Sequence, residues 1–351
     1  MTTSEPGVCV IIAAFNAQET IVRAVKSALA QDRVREVIVA DDASKDDTAN
    51  RARAQDDGSG RLAVVTLAEN RGPSAARNAA IDRSISPYIC TLDADDYFLP
   101  QRISRLLDAA DIASWDMIAD DILIVPEDQQ HLEFSVVSSS HPPRCTTLDL
   151  ETFVSGNISH PQRPRDELGF LKPIIKRSFL RQYGLHYDER LTLGEDYALY
   201  TQALIAGARF CLASACGYVA IERSDSISSH HSAEALDRIA AFDAECLKAA
   251  STLSGKERTA LLAHRAATIR KYDYRTVLNS KRNHGVLAAI ALLATMPSSI
   301  PYITAETVRA KTTRLLRRET RCDAEAARPG FRFLLGMPET RLSLSAPKSG
   351  I

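Results

Sequence analysis

The sequence predicts an α/β fold in which a mainly parallel sheet is flanked by helices, followed by a C-terminal helical extension. In residues 1–125, short apolar runs alternate with stretches whose apolar residues recur every three or four positions. The apolar runs lack polar alternation, which is typical of parallel strands covered on both faces. From Ser232 the pattern is helical for nearly 90 residues.

Predicted strands and helices alternate along residues 1–125, as a parallel sheet with flanking helices requires. Each predicted strand is a short apolar run, and each predicted helix has helical spacing or a turn at its start. Strands are predicted at residues 8–14, 36–40, 62–67, 88–92 and 117–125, and helices at residues 19–31, 46–54, 74–83, 100–110, 178–183 and 196–206. The chain after Cys322 is rich in Pro, Gly and Arg, and we expect it to be poorly ordered.

Charge and cysteine content exclude several classes of protein. The 351 residues carry 43 Lys and Arg against 44 Asp and Glu, which argues against nucleic-acid binding. The seven cysteines form no CxxC pair, which disfavours a zinc site and a disulfide framework. Residues 248–323, however, contain 15 Lys and Arg and only 5 Asp and Glu. We therefore expect the acidic front and the basic back of the chain to have different partners.

Carboxylates follow two of the predicted strands directly. Asp41 and Asp42 follow the second strand, and Asp93, Asp95 and Asp96 follow the fourth. Ligands bind outside the carboxyl ends of parallel strands, so these side chains are expected at the binding edge. Because five carboxylates there would repel one another, the pattern favours a Mg²⁺ or Mn²⁺ site for a diphosphate. The alternative is that the aspartates cap helices.

The turn into the third helix could contribute to ligand binding at the same edge of the sheet. Gly72 and Pro73 make the turn, Ser74 is expected to cap the helix, and Arg77 follows about one turn later. A helix N-terminus with a guanidinium suits a phosphate or an acidic cluster. The alternative for Arg77 is a solvated position on the helix surface.

Glu195 and Asp196 open a helix in the second half of the chain. A carboxylate there can be a general base that takes a proton from an attacking hydroxyl, or it can stabilise the helix by interacting with the positive end of the helix dipole.

The patterns GxGxxG and GxxxxGK[ST] are absent at the expected places, so a usual dinucleotide-binding fold and a P-loop enzyme are disfavoured.

Taken together, these motifs resemble those of the family 2 glycosyltransferases, which have the GT-A fold. The resemblance covers roughly residues 8–231, and within the family it points to exopolysaccharide enzymes of the succinoglycan type. One departure is Ala43, where the family usually has Gly. The matching motifs are AAFN with Glu19, DDASKDDT at residues 41–48, NRG at residues 70–72 with ARN at residues 76–78, DADD at residues 93–96, and the pair Glu195–Asp196.

The resemblance implies a role for each matching residue. Asp42, or its neighbour Asp41, would hydrogen-bond the uracil ring of a UDP-sugar, and Asp93 would face the ribose or the sugar. Arg77 would brace the acidic cluster or a phosphate. The remaining residues implied in nucleotide-sugar binding are Phe15, Asn16, Glu19 and Glu195.

The resemblance also implies the catalytic groups. Asp196 would be the catalytic base, and Asp95 would ligate Mn²⁺ or Mg²⁺ on the diphosphate. His230 and His231 lie where some relatives place a flexible loop over the donor phosphates. His231 could join the metal shell there, and the alternative is a solvated pair of histidines.

The implied activity is inverting transfer of a sugar from a UDP-sugar, such as UDP-glucose, to a hydroxyl of a saccharide, expected to be a lipid-linked oligosaccharide in exopolysaccharide synthesis. Residues 1–125 would bind the nucleotide sugar, residues 126–231 would bind the acceptor and supply the base, residues 232–323 would form the basic helical extension, and residues 324–351 would be a tail. We expect a cytoplasmic protein that is peripheral on the inner face of the plasma membrane. Two other classes stay open: a phosphatase of the haloacid dehalogenase type, because of the DxD pattern, and a non-catalytic sugar-nucleotide-binding protein.

The basic extension contains one apolar stretch, GVLAAIALLATM at residues 285–296. It is shorter than the about 20 residues that a spanning helix needs. Lys and Arg flank it on both sides, which suits the surface of an anionic membrane. The alternatives are a core helix packed on the catalytic part and a contact in a homodimer.

Overall fold

A computed structural model describes residues 7–112, 114–138, 142–158, 167–223, 232–319, 330–336 and 340–345. Its strands are β1 (Val8–Ala14), β2 (Val34–Asp41), β3 (Leu62–Thr66), β4 (Tyr88–Thr91), β5 (Tyr97–Phe98), β6 (Met117–Pro126), β7 (Glu133–Ser138), β8 (Cys145–Leu148), β9 (Ile174–Lys176), β10 (Phe210–Glu222), β11 (Arg332–Phe333) and β12 (Thr340–Ser345). Its helices are α1 (Ile21–Leu29), α2 (Thr48–Arg53), α3 (Pro73–Arg83), α4 (Arg102–Ile112), α5 (Leu150–Gly156), α6 (Arg177–Tyr183), α7 (Glu195–Ile205), α8 (Ala233–Ala249), α9 (Gly255–His284), α10 (Val286–Ala294) and α11 (Ile300–Glu319).

One mixed sheet organises the part of the fold that carries the predicted motifs. Its strand order is β3-β2-β1-β4-β9-β6-β10-β5, with β8 on β10 and β11 on β6. The strands β1 to β4 pair in parallel, so their carboxyl ends share one edge. The short strand β9 runs antiparallel to both β4 and β6 and joins the two halves of the sheet. The predicted α/β fold with flanking helices is confirmed, and the parallel arrangement applies to the strands β1 to β4 and to the pair of β6 and β10.

The predicted helical extension is confirmed as four helices rather than one continuous pattern. It is interrupted before α9, where Ser254 and Glu257 form a capping box, at Gly285, which has a φ of 89°, and after α10. A buried contact attaches the extension to the sheet domain. Asp243 of α8 accepts a hydrogen bond from the Tyr197 hydroxyl of α7 at 2.9 Å, and its other oxygen lies 2.7 Å from Nδ1 of His264 in α9.

Two segments of the tail form strands that pair with the rest of the chain. The strand β11 pairs antiparallel with β6, and β12 pairs antiparallel with β7. Alternating residues of β12 are apolar, and the surrounding Pro, Gly and Arg made this short pattern hard to recognise in the sequence.

Among the described residues, no single helix is long and apolar enough to cross a membrane. The helix α10 and the segment Pro297–Thr312 meet the length and composition criteria only as a pair, and that pair is bent by 104°.

The departure at Ala43 has a measurable consequence for stability. Ala43 has a φ of 57°, in the left-handed region where a Cβ atom is disfavoured. We expect Ala43→Gly to raise the free energy of unfolding by about 0.5–1 kcal/mol, since the relief of strain exceeds the entropy gained by the unfolded chain. Urea denaturation measures it. Ala305→Gly on the exposed surface of α11 is the control, because Gly there should destabilise; a loss of stability in both variants would contradict the prediction.

Candidate active site

The loops that follow β1 and β2 are tied together at the carboxyl edge of the sheet. The backbone N–H of Asn16 donates to Oγ of Ser44, and Oδ1 of Asn16 accepts from the backbone N–H of Lys45, both at 2.9 Å. Asn16 adopts a φ of 50°, which its residue type tolerates better than most. Phe15 stays 47% exposed beside this junction. The side chain of Asn16 therefore fixes the loop, and the ring of Phe15 remains accessible to a ligand.

The two aspartates after β2 have different surroundings. Both oxygens of Asp42 accept backbone hydrogen bonds at 2.8 Å, from the N–H groups of Arg71 and Gly72. Asp41 is also buried, but its Oδ1 has no hydrogen-bond partner within the described residues. A buried carboxylate oxygen without a donor is costly. Of the two residues proposed for the uracil ring, the geometry therefore favours Asp41, while Asp42 holds the loop before α3.

The start of α3 differs from the expectation in one detail. Gly72, with a φ of 88°, is the N-cap residue and Pro73 is the first helical residue. The predicted cap at Ser74 is wrong, because Pro73 shifts the helix start and the Ser74 hydroxyl donates instead to the carbonyl of Leu191 at 3.1 Å. Asn78 of the same helix exchanges hydrogen bonds with the backbone of Tyr187. Helix α3 thereby anchors the segment that leads into α7.

Arg77 is the first of two buried cations in the site. Its guanidinium donates to Glu195 at 2.7 Å and to Asp93 at 2.9 Å. Burial by itself lowers the pKa of Arg77, but the neighbouring carboxylates of Asp196, Glu195 and Asp93 outweigh it and hold that pKa well above its usual value. Arg77 therefore braces the acidic cluster, joining the carboxyl end of β4 to the start of α7.

Lys172 is the second buried cation, and no motif in the sequence indicated a role for it. Its Nζ lies 2.6 Å from Oδ2 of Asp196 and 3.0 Å from Oδ2 of Asp93. Burial lowers the pKa of Lys172, and the two carboxylates more than reverse this and raise it. The same contacts, with Arg77, overcome burial and keep the pKa of Asp93 well below its usual value. The signal that could have revealed Lys172 is a lone charge inside the apolar run at residues 168–175.

Asp196 lies in the first turn of α7 and is largely buried. One oxygen contacts Lys172, and the other lies 3.5 Å from the hydroxyl of Tyr200. Tyr187 covers the cluster: its ring stacks under the Arg77 guanidinium at 5.3 Å, and burial together with the charge of Asp196 raises its pKa. The Asp196 carboxylate thus lies in a largely buried setting, with the Lys172 ammonium as its direct ion-pair partner.

Of the aspartates after β4, one is bound by groups of the fold and another has no such partner, as is the case for the two aspartates after β2. Asp96 is buried, and its oxygens accept from the Tyr218 hydroxyl at 2.7 Å and from the backbone N–H of Ile221 at 2.9 Å, both on β10. The Tyr218 oxygen also accepts from the backbone N–H of Asp93 at 3.1 Å. Asp96, like Asp42, thus has both carboxylate oxygens occupied by groups of the fold.

Asp95 has the properties of a ligand for a divalent cation. In the part of the chain that the structure describes, its carboxylate takes part in no hydrogen bond or ion pair with another side chain. Burial and the nearby charge of Asp93 raise its pKa. Arg77 and Lys172 pair with three carboxylates, those of Asp93, Glu195 and Asp196, so the cluster keeps an excess of negative charge even before Asp95 is counted.

No group of three or more His, Cys, Asp or Glu side chains within the described ranges could hold a metal ion by itself. A Mg²⁺-like cation usually needs only one or two carboxylates when phosphate oxygens complete its shell, so Asp95 fits that use. His230 and His231 lie outside the described residues. Glu19 is 76% exposed and 3.7 Å from Arg51, at the surface rather than in the cluster.

Comparison with known proteins identifies the class. A sequence model of the family described as "Glycosyl transferase family 2" matches residues 9–143. The succinoglycan biosynthesis protein ExoU of Rhizobium meliloti (strain 1021) is 45% identical over 316 residues, which is 90% of this chain and 91% of ExoU. The succinoglycan biosynthesis protein ExoO of the same organism is 36% identical over 69% of this chain and 68% of its own length. The chain belongs to glycosyltransferase family 2.

Solved structures show the same fold. The TarS 1–349 fragment of S. aureus in complex with UDP-GlcNAc has a TM-score of 0.56 at 20% identity, covering 85% of this chain and 83% of that one. The mannosyltransferase PcManGT of Pyrobaculum calidifontis, in complex with GDP-Man and Mn²⁺, has a TM-score of 0.52 at 18% identity, covering 88% and 85%. The protein is therefore a glycosyltransferase of the GT-A fold, and the phosphatase alternative is wrong.

Proposed function

We propose that the protein transfers a sugar from a UDP-sugar to a hydroxyl of a saccharide acceptor, with inversion at the anomeric carbon. One observation carries the proposal: the ammonium of Lys172 contacts Asp93 and Asp196 together. These carboxylates come from motifs about a hundred residues apart in the sequence, DADD and the Glu195–Asp196 pair. Their convergence places the group proposed for the donor sugar beside the group proposed as base.

Asp41 and Phe15 support the proposed binding of the donor nucleotide. The N3–H of a uracil ring would supply the donor that Oδ1 of Asp41 lacks, and the exposed ring of Phe15 lies at the same edge of the sheet. A neighbour in fold, TarS, binds UDP-GlcNAc, which supports UDP as the nucleotide.

Asp196 is the residue on which the proposed transfer step depends. Its carboxylate would take the proton of the acceptor hydroxyl as that oxygen attacks the anomeric carbon. Arg77 and Lys172 hold the base and Asp93 in fixed positions, so the attacking oxygen and the sugar meet in one orientation. A base on the side opposite the leaving diphosphate gives inversion.

Asp95 would hold Mn²⁺ or Mg²⁺ against the donor diphosphate. When bound, such a cation offsets the charge that develops on the leaving diphosphate. The unengaged carboxylate of Asp95 and the negative excess of the cluster support this assignment, and PcManGT was solved with Mn²⁺. The role of His231 stays a prediction.

The acceptor is proposed from relatives. The similarity to two succinoglycan biosynthesis proteins supports a role in exopolysaccharide synthesis, where a lipid-linked oligosaccharide is the proposed acceptor. Such an acceptor would place the enzyme on the cytoplasmic side of the membrane, with residues 126–231 proposed to receive it.

A donor panel tests the proposal. Purified protein is incubated with UDP-glucose, UDP-galactose or UDP-N-acetylglucosamine and a lipid extract, and UDP release and labelled lipid are measured. Release that depends on the extract supports transfer. Tight UDP binding without release for any donor or extract would favour the non-catalytic sugar-nucleotide-binding alternative.

The assignment of Asp41 predicts a preference for uracil. Cytosine has a bare N3 where uracil has N3–H, so we expect UDP to bind about 10- to 100-fold more tightly than CDP. Asp41→Asn should reduce this ratio, because an amide can present either N–H or C=O to the ring. Calorimetric titration measures both affinities. Asp47→Asn, an exposed neighbour, is the matched control, and an unchanged ratio in Asp41→Asn would contradict the assignment.

The assignment of Asp95 predicts metal dependence. We expect a chelator to stop sugar transfer and Mn²⁺ or Mg²⁺ to restore it, since the diphosphate charge is otherwise left without a cation. Asp95→Asn should lower the rate by more than about tenfold at saturating metal. The exposed Asp82→Asn on α3 is the control. Undiminished turnover in chelator would refute the metal role.

A further inference from the structure

The helix α10 exposes apolar side chains that no described part of the chain covers. Leu287 is 84% exposed, Ile290 58% and Val286 57%. The sequence of this helix, VLAAIALLA, has no polar residue, and only Ala289 is buried, where the helix packs on α9. We call Val286, Leu287 and Ile290 the α10 patch. Three large exposed apolar side chains within five residues of one helix form a patch of the kind that marks an interaction site.

Basic residues border the α10 patch on both sides in the sequence. Lys281, Arg282 and His284 are exposed in the last turn of α9, directly before it, and Arg309 and Lys311 are exposed on α11. Residues 281–319 contain seven Lys and Arg against two Glu. The chain on both sides of the patch therefore carries a net positive charge, which suits an anionic partner.

The length and bend of the helices indicate how the α10 patch would meet that partner. Nine residues of helix extend about 14 Å, roughly half of the hydrocarbon core of a bilayer. The following helical segment turns away by 104°. Such a short apolar helix can enter the headgroup and upper acyl region without crossing it, while the cations before and after it stay among the headgroups.

A second copy of the chain fits this surface less well. A two-fold contact through the α10 patch would bring two sets of Lys281 and Arg282 near one another, and like charges facing each other oppose association. An anionic lipid surface meets both features at once, since acyl chains cover the apolar side chains and lipid phosphates meet the cations.

We propose that the α10 patch is a monotopic membrane anchor: Val286, Leu287 and Ile290 insert into an anionic leaflet and the basic residues beside them bind its phosphates. The anchor does not depend on which sugar the enzyme transfers, because α10 lies outside the acidic cluster. It accounts for the charge excess of the extension and would hold the catalytic cleft close to a lipid-linked acceptor.

Vesicle sedimentation with the full-length protein tests the anchor. We expect binding to vesicles of phosphatidylcholine with phosphatidylglycerol at low salt, and much weaker binding to pure phosphatidylcholine or at high salt. The double variant Leu287→Ser with Ile290→Ser should lose binding by at least about tenfold. Lys281→Gln with Arg282→Gln should weaken binding by about 30-fold, roughly fivefold for each charge.

The matched control is Ile85→Ser with Leu262→Ser, which removes two equally exposed apolar side chains far from α10 in the sequence. It should bind vesicles as the unmodified protein does. Leu287→Trp gives a second readout, because the native Trp115 is buried and its emission should not change. Insertion predicts that the emission of the new Trp moves to shorter wavelengths on anionic vesicles only.

The outcomes separate the anchor from its competitors and from the proposed reaction. Absent vesicle binding, or equal loss in the control pair, overturns the anchor. Self-association in sedimentation velocity that Leu287→Ser abolishes, without vesicle binding, would assign the patch to a second copy instead. Hydrolysis of the UDP-sugar without vesicles releases UDP and reports on the catalytic site alone. If the double variant Leu287→Ser with Ile290→Ser releases UDP at the same rate as the unmodified protein, the site is intact while the anchor is lost.

Discussion

Replacing Asp196 with Asn is expected to lower the rate of sugar transfer by about 10²–10⁴-fold while UDP still binds. An amide of the same shape cannot take the proton of the attacking hydroxyl. UDP affinity should survive, because the groups proposed for the nucleotide, Asp41 and Phe15, lie at the ends of other strands. The kinetic readout is kcat for UDP release with acceptor, and titration calorimetry gives the UDP affinity.

Asp196→Asn needs a control for the loss of a charge from the cluster. Glu195→Gln removes one negative charge from the neighbouring position, where Glu195 binds Arg77 rather than Lys172. We expect the larger fall in kcat from Asp196→Asn. Lys172 keeps its contact with Asp93 in that variant, so the fold should persist, and thermal melting checks this. Near-normal kcat in a folded Asp196→Asn variant would remove the base assignment.

Much of the fold follows from local patterns that the sequence carries openly. Each of the strands β1 to β4 contains a short apolar run, and the predicted bounds differ from the observed ones by at most two residues. The short strands β5, β8 and β9 were not predicted, since two to four residues carry too little periodicity to be recognised. Their place in the sheet is decided by tertiary contacts, such as the pairing of β9 with both β4 and β6.

In the candidate site, too, local patterns predicted some features and tertiary contacts decided the others. The positions of Asp41, Asp42, Asp93 and Asp95 directly after strands predicted a binding site, because ligands bind at the carboxyl edge of a parallel sheet. The sequence could not tell which of these bind backbone groups, since the donors of Asp42 lie about thirty residues away. Lys172 was missed for a related reason: its two partners lie in segments 79 and 24 residues distant, and only the folded chain brings them together.

Replacing Lys172 with Met is expected to lower the free energy of unfolding by about 3–5 kcal/mol, the largest stability effect in the site. Met keeps most of the volume, so the loss comes mainly from charge. Without the ammonium, Asp196 has no cation in direct contact among the described residues and Asp93 keeps only Arg77. Urea denaturation at neutral pH measures the difference, provided that the slope with urea stays equal.

Two further variants separate this effect from the loss of any lysine. Lys176→Met is the matched control, since that side chain is 28% exposed and its Nζ lies 3.8 Å from Asp116, so a change within about 1 kcal/mol is expected. Combining Lys172→Met with Asp196→Asn should cost less than the two single changes added, because the second change removes the charge that the first leaves uncompensated. Additive losses would show that the pair is not coupled.

The pH dependence of the Lys172→Met effect follows from the two shifted groups. The pKa of Asp93 is lowered in the folded protein, so the stability it contributes is complete above its usual value of 3.8 and is lost as the pH falls below it. The pKa of Lys172 is raised, so its contribution is complete below its usual value of 10.5 and is lost as the pH rises above it. The difference between the unmodified protein and Lys172→Met should therefore be constant between about pH 5 and about pH 9 and shrink on either side. A difference that grows as the pH falls below 4 would mean that Lys172 does not act through these carboxylates.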